Sequence, residues 1–264
     1  DNFGAFLDSS PDRWGRVLMR RREAQRAREE GRKARTLLES DYLLGVYDGH
    51  RSGGLRFRLT AQGPFLDDDD ELASPPWTSL RELEQIAFEL EREGVEDHPS
   101  YGRWLKMLLA PGRSLGGARP KAGVRAPDGT LWIAKFPSRE DPHDIGAWEW
   151  VTHSLATRAG VLTAPARCER FHTASRHHTF LTRRFDRSGD KRHHFASALT
   201  LLEKQDGEAG SYLALAEVIA QRSVHPARDL EELWRRICFS VCVSNVDDHL
   251  RNHGFMLEAR GWSL

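Results

Sequence analysis

The sequence predicts a mixed α/β (α+β) protein, with strands and helices mixed over residues 1–184 and a helical pattern starting at 185. Three observations carry this. Strand-like runs at Leu131–Phe136 and Thr179–Phe185 bracket a helix that Asp144 caps and that runs to Gly160. Between Asp229 and Val243 the residues Leu230, Leu233, Trp234, Ile237, Cys238, Val241 and Cys242 repeat with helical rhythm. The 264 residues are also long enough to bury roughly 70–75% of the unfolded surface without staples.

From the N-terminus, residues 11–39 read as a surface helix with ten basic against four acidic residues between Pro11 and Arg35. Such a run is ordinarily a solvated face, with contact to nucleic acid or an acidic protein as the alternative. Leu43–Tyr47, a Gly49–Gly54 turn and Leu55–Leu59 suggest a hairpin, and an acidic loop follows at Asp67–Glu71. Ser79 and Glu82 have capping-box spacing at the head of a helix over Leu80–Glu93 that Gly94 closes. Ser114 to Lys121 is small and basic, the signature of a loop before the strand pair. The division expected is 1–110 for helices plus hairpin, 111–184 for strands and a helix, and 185–264 for a helical lobe with a polar loop.

Lys plus Arg (39) equals Asp plus Glu (39), so no global field draws the chain to nucleic acid or membrane. The longest apolar run, Ile237–Val243, is broken by Ser240 and falls far short of the ~20 residues of a membrane span. Three cysteines, Cys168, Cys238 and Cys242, lack metal-ligand grouping and fit a reducing, cytoplasmic setting. The last two lie on the apolar stripe and read as buried packing residues.

The polar stretch Ser244–Phe255 carries the chemistry. Asp247 and Asn252 have the D-x-x-x-x-N spacing with which kinase catalytic loops orient a substrate hydroxyl and ligate magnesium, although a helix-terminating turn would also use these residue types. Upstream, Trp132-Ile133-Ala134-Lys135 has the pattern of the strand that presents a lysine to nucleotide phosphates. Glu149, fourteen residues on, is placed to pair with Lys135. Gly116-Gly117-Ala118 with Arg119, Pro120 and Lys121 would let backbone amides and two cations approach phosphate. Each match is cheap alone. Their order, from glycine loop through strand lysine, helix glutamate and connector to D-x4-N loop, is that of a kinase, with Asp247 and Lys135 expected on opposite walls of one cleft. The imidazoles His172, His177, His178, His193 and His194, and the pair His249 and His253, invite a metal reading, but nothing completes a tetrahedral set.

On these residues the chain resembles the HipA-type serine/threonine kinase toxins of bacterial type II toxin–antitoxin modules. The phrases that match are Pro11-Asp12-Arg13-Trp14-Gly15-Arg16, Gly45-Val46-Tyr47-Asp48 with Gly54-Leu55-Arg56-Phe57, Ser114 to Ala122, Ile133 to Pro137, Arg184-Phe185-Asp186-Arg187, and Asn245 to Phe255. The resemblance implies a two-lobed protein-kinase-like fold, ATP and Mg2+ as cofactors, and Asp247 as the catalytic residue. It further implies ATP or metal contacts from His249, Leu250, Arg251 and Asn252, a phosphate loop over Gly116–Lys121, and Lys135 as the ATP lysine. Arg183, Arg184 and Phe185 would form the hinge beside adenine, and Ser114 would be the autophosphorylated serine. A DNA-binding antitoxin would be the partner, DNA would be met only through it, and an aminoacyl-tRNA synthetase is a substrate known in the family. Relatives carry a segment before the Pro11 phrase and a second metal-binding Asp shortly after the strand beginning at Trp262, so the expectation is a chain truncated at both ends. A truncated binding module or pseudokinase that engages an antitoxin, and a small-molecule phosphotransferase, are the alternatives.

Overall fold

In the computed structural model, which describes residues 4–67, 74–109, 119–171, 176–205 and 207–264, the Asp12 carboxylate accepts the Gly15 amide at 2.8 Å and opens helix α1 (Arg13–Glu29). Trp14, Leu18, Met19 and Ala27 form its buried stripe. The Pro11–Arg16 phrase thus has a structural use: Asp12 caps, Trp14 enters the core and donates to the Lys121 carbonyl at 3.2 Å, and Arg16 makes a two-pronged bond to Glu39 at 2.7 Å.

The expected hairpin over 43–59 is not formed. Residues Glu39–Leu44 are instead helix α2, followed by a short 3-10 turn at Asp48–His50, and among the described residues an isolated bridge between Arg58 and Phe65 stands in place of a strand pair. The cause is Arg51. Its guanidinium is fully buried and donates to the carbonyls of Ser9, Leu43 and Val46 at 3.2, 2.6 and 3.0 Å, so side-chain donors do what a partner strand would have done. The capping box is also absent. Ser79 ends a 3-10 turn (Trp77–Ser79) in helical conformation, makes no cap bond, and α3 (Leu80–Glu89) ends at Leu90 rather than running to Gly94. Gly94 does adopt the left-handed conformation expected of a terminator, one turn later. Helix α4 (Tyr101–Leu109) follows.

Strands β1 (Lys121–Arg125), β2 (Leu131–Lys135), β3 (Ala166–Glu169) and β4 (Thr179–Arg183) form an antiparallel sheet in the order β1-β2-β4-β3. Ala122, Val124, Trp132, Ala134 and Leu181 alternate along the strands onto one face and join residues of α1, α3 and α4 in the first core. Helix α5 (Ile145–Arg158) is capped by Asp144, which accepts the Ala147 amide at 3.0 Å, and packs beside β3 and β4. Gly146 permits this approach, because a Cβ there would overlap the His178 carbonyl.

Beyond Phe185 the chain is less helical than the sequence suggested, with strands besides the one expected at Trp262. A two-residue-strand hairpin, β5 (Arg187–Ser188) and β6 (Lys191–Arg192), precedes β7 (Phe195–Ser197), which pairs with β8 (Gly254–Glu258) and through it with β9 (Gly261–Ser263). Between them lie α6 (Ala198–Leu201), α7 (Tyr212–Arg222) and α8 (Pro226–Cys242). These elements hold a second core that includes Ala198, Leu199, Ile219, Leu233 and Phe255. The stripe on α8 is buried only in its first half. Leu233 is 3% exposed, but Trp234 is 66% and Val241 75% exposed, and Cys238 and Cys242 are exposed rather than packed. Asp8 ties the N-terminal turn to this second core, accepting from the Ser197 amide and the Thr200 hydroxyl at 2.7 Å each. Among the described residues no helix is long and apolar enough to cross a membrane.

Candidate functional site

Helix α8 ends where Ser244 turns into the left-handed conformation (φ +53°), and the chain then crosses to β8 through the loop 245–253. Within it the D-x4-N spacing closes on itself. The Asn252 side-chain amide donates to the Asp247 carbonyl at 2.8 Å, Asn252 N donates to His249 O at 2.8 Å, and Asp247 N donates to Asn245 Oδ1 at 3.2 Å. The Asn252 side chain is thereby fixed against the backbone of its own loop. The Asp247 carboxylate and His249 are exposed, and Leu250 is buried in the second core.

On the first sheet Lys135, the last residue of β2, meets Glu149 of α5 in a charge-assisted hydrogen bond. Both side chains are about 30% exposed, with the ammonium 5.5 Å from the Phe180 ring, so the pair is held yet reachable. The sequence locates α5 for this pairing: Asp144 also accepts the His178 amide at 2.9 Å and pairs with its ring at 2.5 Å, pinning the helix start to the head of β4. Burial pushes the Asp144 carboxyl up, but its hydrogen bonds from His178 and Ala147 outweigh this and hold it below the ordinary range.

The cations of the expected phosphate loop are engaged elsewhere. Lys121, the register partner of Lys135, is 2% exposed with its ammonium 2.6 Å from the Asp12 carboxylate, so it is turned into the protein. Arg119 makes a two-pronged bond to Asp141 at 2.7 and 2.5 Å, and the Pro120 carbonyl accepts the Phe136 amide at 2.9 Å. Ser114, Gly116, Gly117 and Ala118 lie outside the described residues.

In the Arg183–Phe185 segment, Arg183 is exposed and its amide donates to Pro165 O at 2.8 Å. The Arg184 guanidinium is buried, paired with Asp186 at 2.7 Å and donating to the carbonyls of His50 and Arg51. Asp186 also accepts the Gly53 amide at 2.9 Å and pairs with Arg187 at 2.8 Å. Three of the four residues in the Arg184–Arg187 phrase therefore clamp the 48–53 segment. Phe185 alone, 44% exposed, presents its ring outward, 5.3 Å from Phe195.

A cavity of about 650 Å³ takes in Phe185, Phe195, Met256, Arg251 and Asn252, with the α5–β3 connection and α8 as further walls. Its lining includes neither Asp247 nor Lys135. It does include Asp248 and Phe195, to which the sequence assigns no role, and His253, which the sequence offers only as a metal ligand. The doublet Asp247-Asp248 was the available signal for the first. Asp248 is bonded to Tyr212 Oη at 2.6 Å and lies 3.1 Å from His253 Nε2. Among the described residues the histidines do not assemble, His172 lying outside them: His178 is paired with Asp144, His193 bonds Ser188 Oγ at 2.9 Å, and His253 is buried while His249 is exposed. Among the described residues no group of three His, Cys, Asp or Glu side chains could hold a metal ion.

A family model described as the HipA-like C-terminal domain matches residues 113–264, more than half of the chain. No curated protein matches. Among solved structures, a complex of the Shewanella oneidensis MR-1 toxin–antitoxin proteins HipA and HipB with operator DNA matches at 19% sequence identity and a TM-score of 0.47. That match covers 56% of this chain and 41% of the other, so the chain spans about two fifths of the length of that protein.

Proposed function

The chain belongs to the HipA-like C-terminal domain family, and from that premise we propose that it is a two-lobed, kinase-like protein built for ATP-dependent phosphorylation of a protein serine, as the toxin half of a toxin–antitoxin pair. The observation that carries this reading is the Lys135–Glu149 pair, joined across β2 and α5. In phosphoryl transfer such a pair fixes a lysine against the phosphates, and positioning plus charge neutralisation supply nearly all of the catalysis.

The remaining roles follow from position. Phe185, with Phe195 and Met256 beside it in the cavity, offers an apolar seat for adenine. Asp247, exposed on a loop closed by its own hydrogen bonds, orients the serine hydroxyl and accepts its proton as the oxygen attacks the γ-phosphorus and the bond to the β–γ bridging oxygen breaks, releasing ADP. Arg251, in the cavity lining, and His249, exposed on the same loop, are the proposed nucleotide contacts. Asn252, its NH2 held by the Asp247 carbonyl, offers a hard neutral oxygen of the kind Mg2+ accepts, so the donor present fits the ion as one member of its set. When bound, Mg2+ neutralises charge on the β- and γ-phosphate oxygens. Arg119 would reach phosphate only by leaving Asp141. Ser114 is the first candidate acceptor, and a DNA-binding antitoxin is the proposed partner.

One observation favours a second reading, a nucleotide-binding module without transfer: among the described residues no carboxylate cluster stands ready for a metal. Incubation with γ-labelled ATP and Mg2+ separates the two. The kinase reading expects label on serine that Asp247→Asn reduces at least a hundredfold. ATP binding with no transfer by either protein supports the second reading, and equal labelling by both removes Asp247 from catalysis.

A further inference from the structure

The geometry points to Asp248, bridged between Tyr212 of α7 and His253 at the head of β8, as the residue that positions the 245–253 loop and hence the Asp247 carboxylate beside it. This rests on the kinase reading for its catalytic consequence, though not for its structural one.

Asp248 is the inner member of the Asp247-Asp248 doublet. Its side chain is 11% exposed, whereas that of Asp247 faces solvent. One carboxylate oxygen accepts the Tyr212 hydroxyl at 2.6 Å and the other lies 3.1 Å from His253 Nε2. The Tyr212 and His253 rings meet edge-on, with centroids 6.0 Å apart, so the three side chains form one closed contact. Three chain segments are tied at this point: the start of α7, the loop, and the start of the sheet strand that carries Phe255 into the second core. A second contact aligns the same pieces. Gly210 lies so close to Leu250 that a Cβ would sit 2.5–2.8 Å from that side chain, which lets the approach to α7 press on the buried residue of the loop.

The electrostatics agree with the distances. Burial pushes the Asp248 carboxyl up, yet the bonds from His253 and Tyr212 more than offset this and keep it ionised below the ordinary range. In return the Tyr212 phenol is pushed up to about 12, by its bond to Asp248 first of all. His253 is 4% exposed, and its Nδ1 is buried with no hydrogen-bond partner, so Asp248 is its one polar anchor in the contact. With each oxygen engaged by a neighbouring side chain, the carboxylate is fixed in one orientation, and its part is positioning.

The test uses Tyr212→Phe, which removes one hydroxyl and keeps the ring, and Asp248→Asn, which keeps the shape and removes the charge. Hydrogen exchange is read by mass spectrometry on the peptide spanning 244–254, with peptides from α8 and the first sheet as internal controls. Serine labelling from γ-labelled ATP is measured alongside. We expect exchange in the loop to quicken about tenfold or more while the controls stay unchanged. Turnover is expected to fall about tenfold, with KM for ATP kept within about twofold, a split that general destabilisation would not produce. Loop exchange unchanged in both variants overturns the proposal whatever the activity. A loosened loop with undiminished turnover overturns the catalytic consequence alone, and a loop loosened in the variants of a parent protein that itself never transfers phosphate overturns the kinase reading while the structural tie stands.

Discussion

Replacing Lys121 by Met removes an ammonium that is 2% exposed and leaves the Asp12 carboxylate, 4% exposed, without the countercharge now 2.6 Å away. Breaking one member of a buried pair costs about 3–5 kcal/mol, because the remaining charge stays desolvated. Asp12 keeps the Gly15 amide at 2.8 Å, which places the expected loss near the lower end, about 3 kcal/mol. With a urea m-value of about 3 kcal/mol/M, the midpoint falls by about 1 M. Adding Asp12→Asn should restore much of this, since Asn caps a helix as well as Asp and no buried charge then remains, giving a coupling of about 2 kcal/mol. Urea unfolding followed by tryptophan fluorescence reads the effect in the same core, where Trp14 donates to the Lys121 carbonyl. A Lys121→Met protein whose midpoint moves by less than about 0.3 M, while its affinity for Mg·ATP drops tenfold, would refute the reasoning and return Lys121 to the phosphates.

Three further outcomes are expected. Gly146→Ala forces a methyl group into the His178 carbonyl, so α5 must shift; ATP affinity measured by calorimetry should fall together with thermal stability, and an unchanged affinity would detach α5 from the site. Thiol titration of the native protein should show two fast groups, the exposed Cys238 and Cys242, and one slow, Cys168, whose thiol is pushed up by burial and by Asp144 and Glu169; one fast group alone would mean that the α8 stripe is covered. For the Tyr212–Asp248 contact, the neutral phenol is favoured, so its contribution is full below the ordinary tyrosine value of about 10 and is lost as pH rises toward 12; the ionised carboxyl is favoured, so its contribution is present above about 4 and is lost as pH falls through its depressed value. Ultraviolet titration should accordingly show a phenol ionising near 12 that Tyr212→Phe removes, and its persistence in that variant would assign it to another tyrosine.

Periodicity and turn residues made the two inner strands of the first sheet and its helix legible, though not the edge strand β3. Asp144, the strand at 131–135 and the Lys135–Glu149 spacing all fall where local rules put them, because each depends on residues near in sequence. What escaped depends on distant partners. Nothing near Arg51 tells that it will be buried under three carbonyls and will replace a hairpin by irregular chain. Nothing near Lys121 reveals Asp12, 109 residues away. The stripe on α8 shows the converse: helical rhythm identifies an apolar face, but cannot say how much of that face the rest of the chain covers. At the site, the D-x4-N spacing marks the loop, whereas the use of Asp248 is set by Tyr212 on another helix, 36 residues earlier.

The central claim, that Lys135 and the 247–252 loop serve one nucleotide site, is tested most directly by calorimetric titration of Mg·ATP into the parent protein, Lys135→Ala and Asn252→Ala. The account predicts binding by the parent, a loss of affinity of about tenfold or more in Lys135→Ala, and a loss in Asn252→Ala that appears with Mg·ATP and vanishes when ATP is titrated without the metal. Affinity equal to the parent's in Lys135→Ala, or a loss in Asn252→Ala that is the same with and without Mg2+, would contradict it.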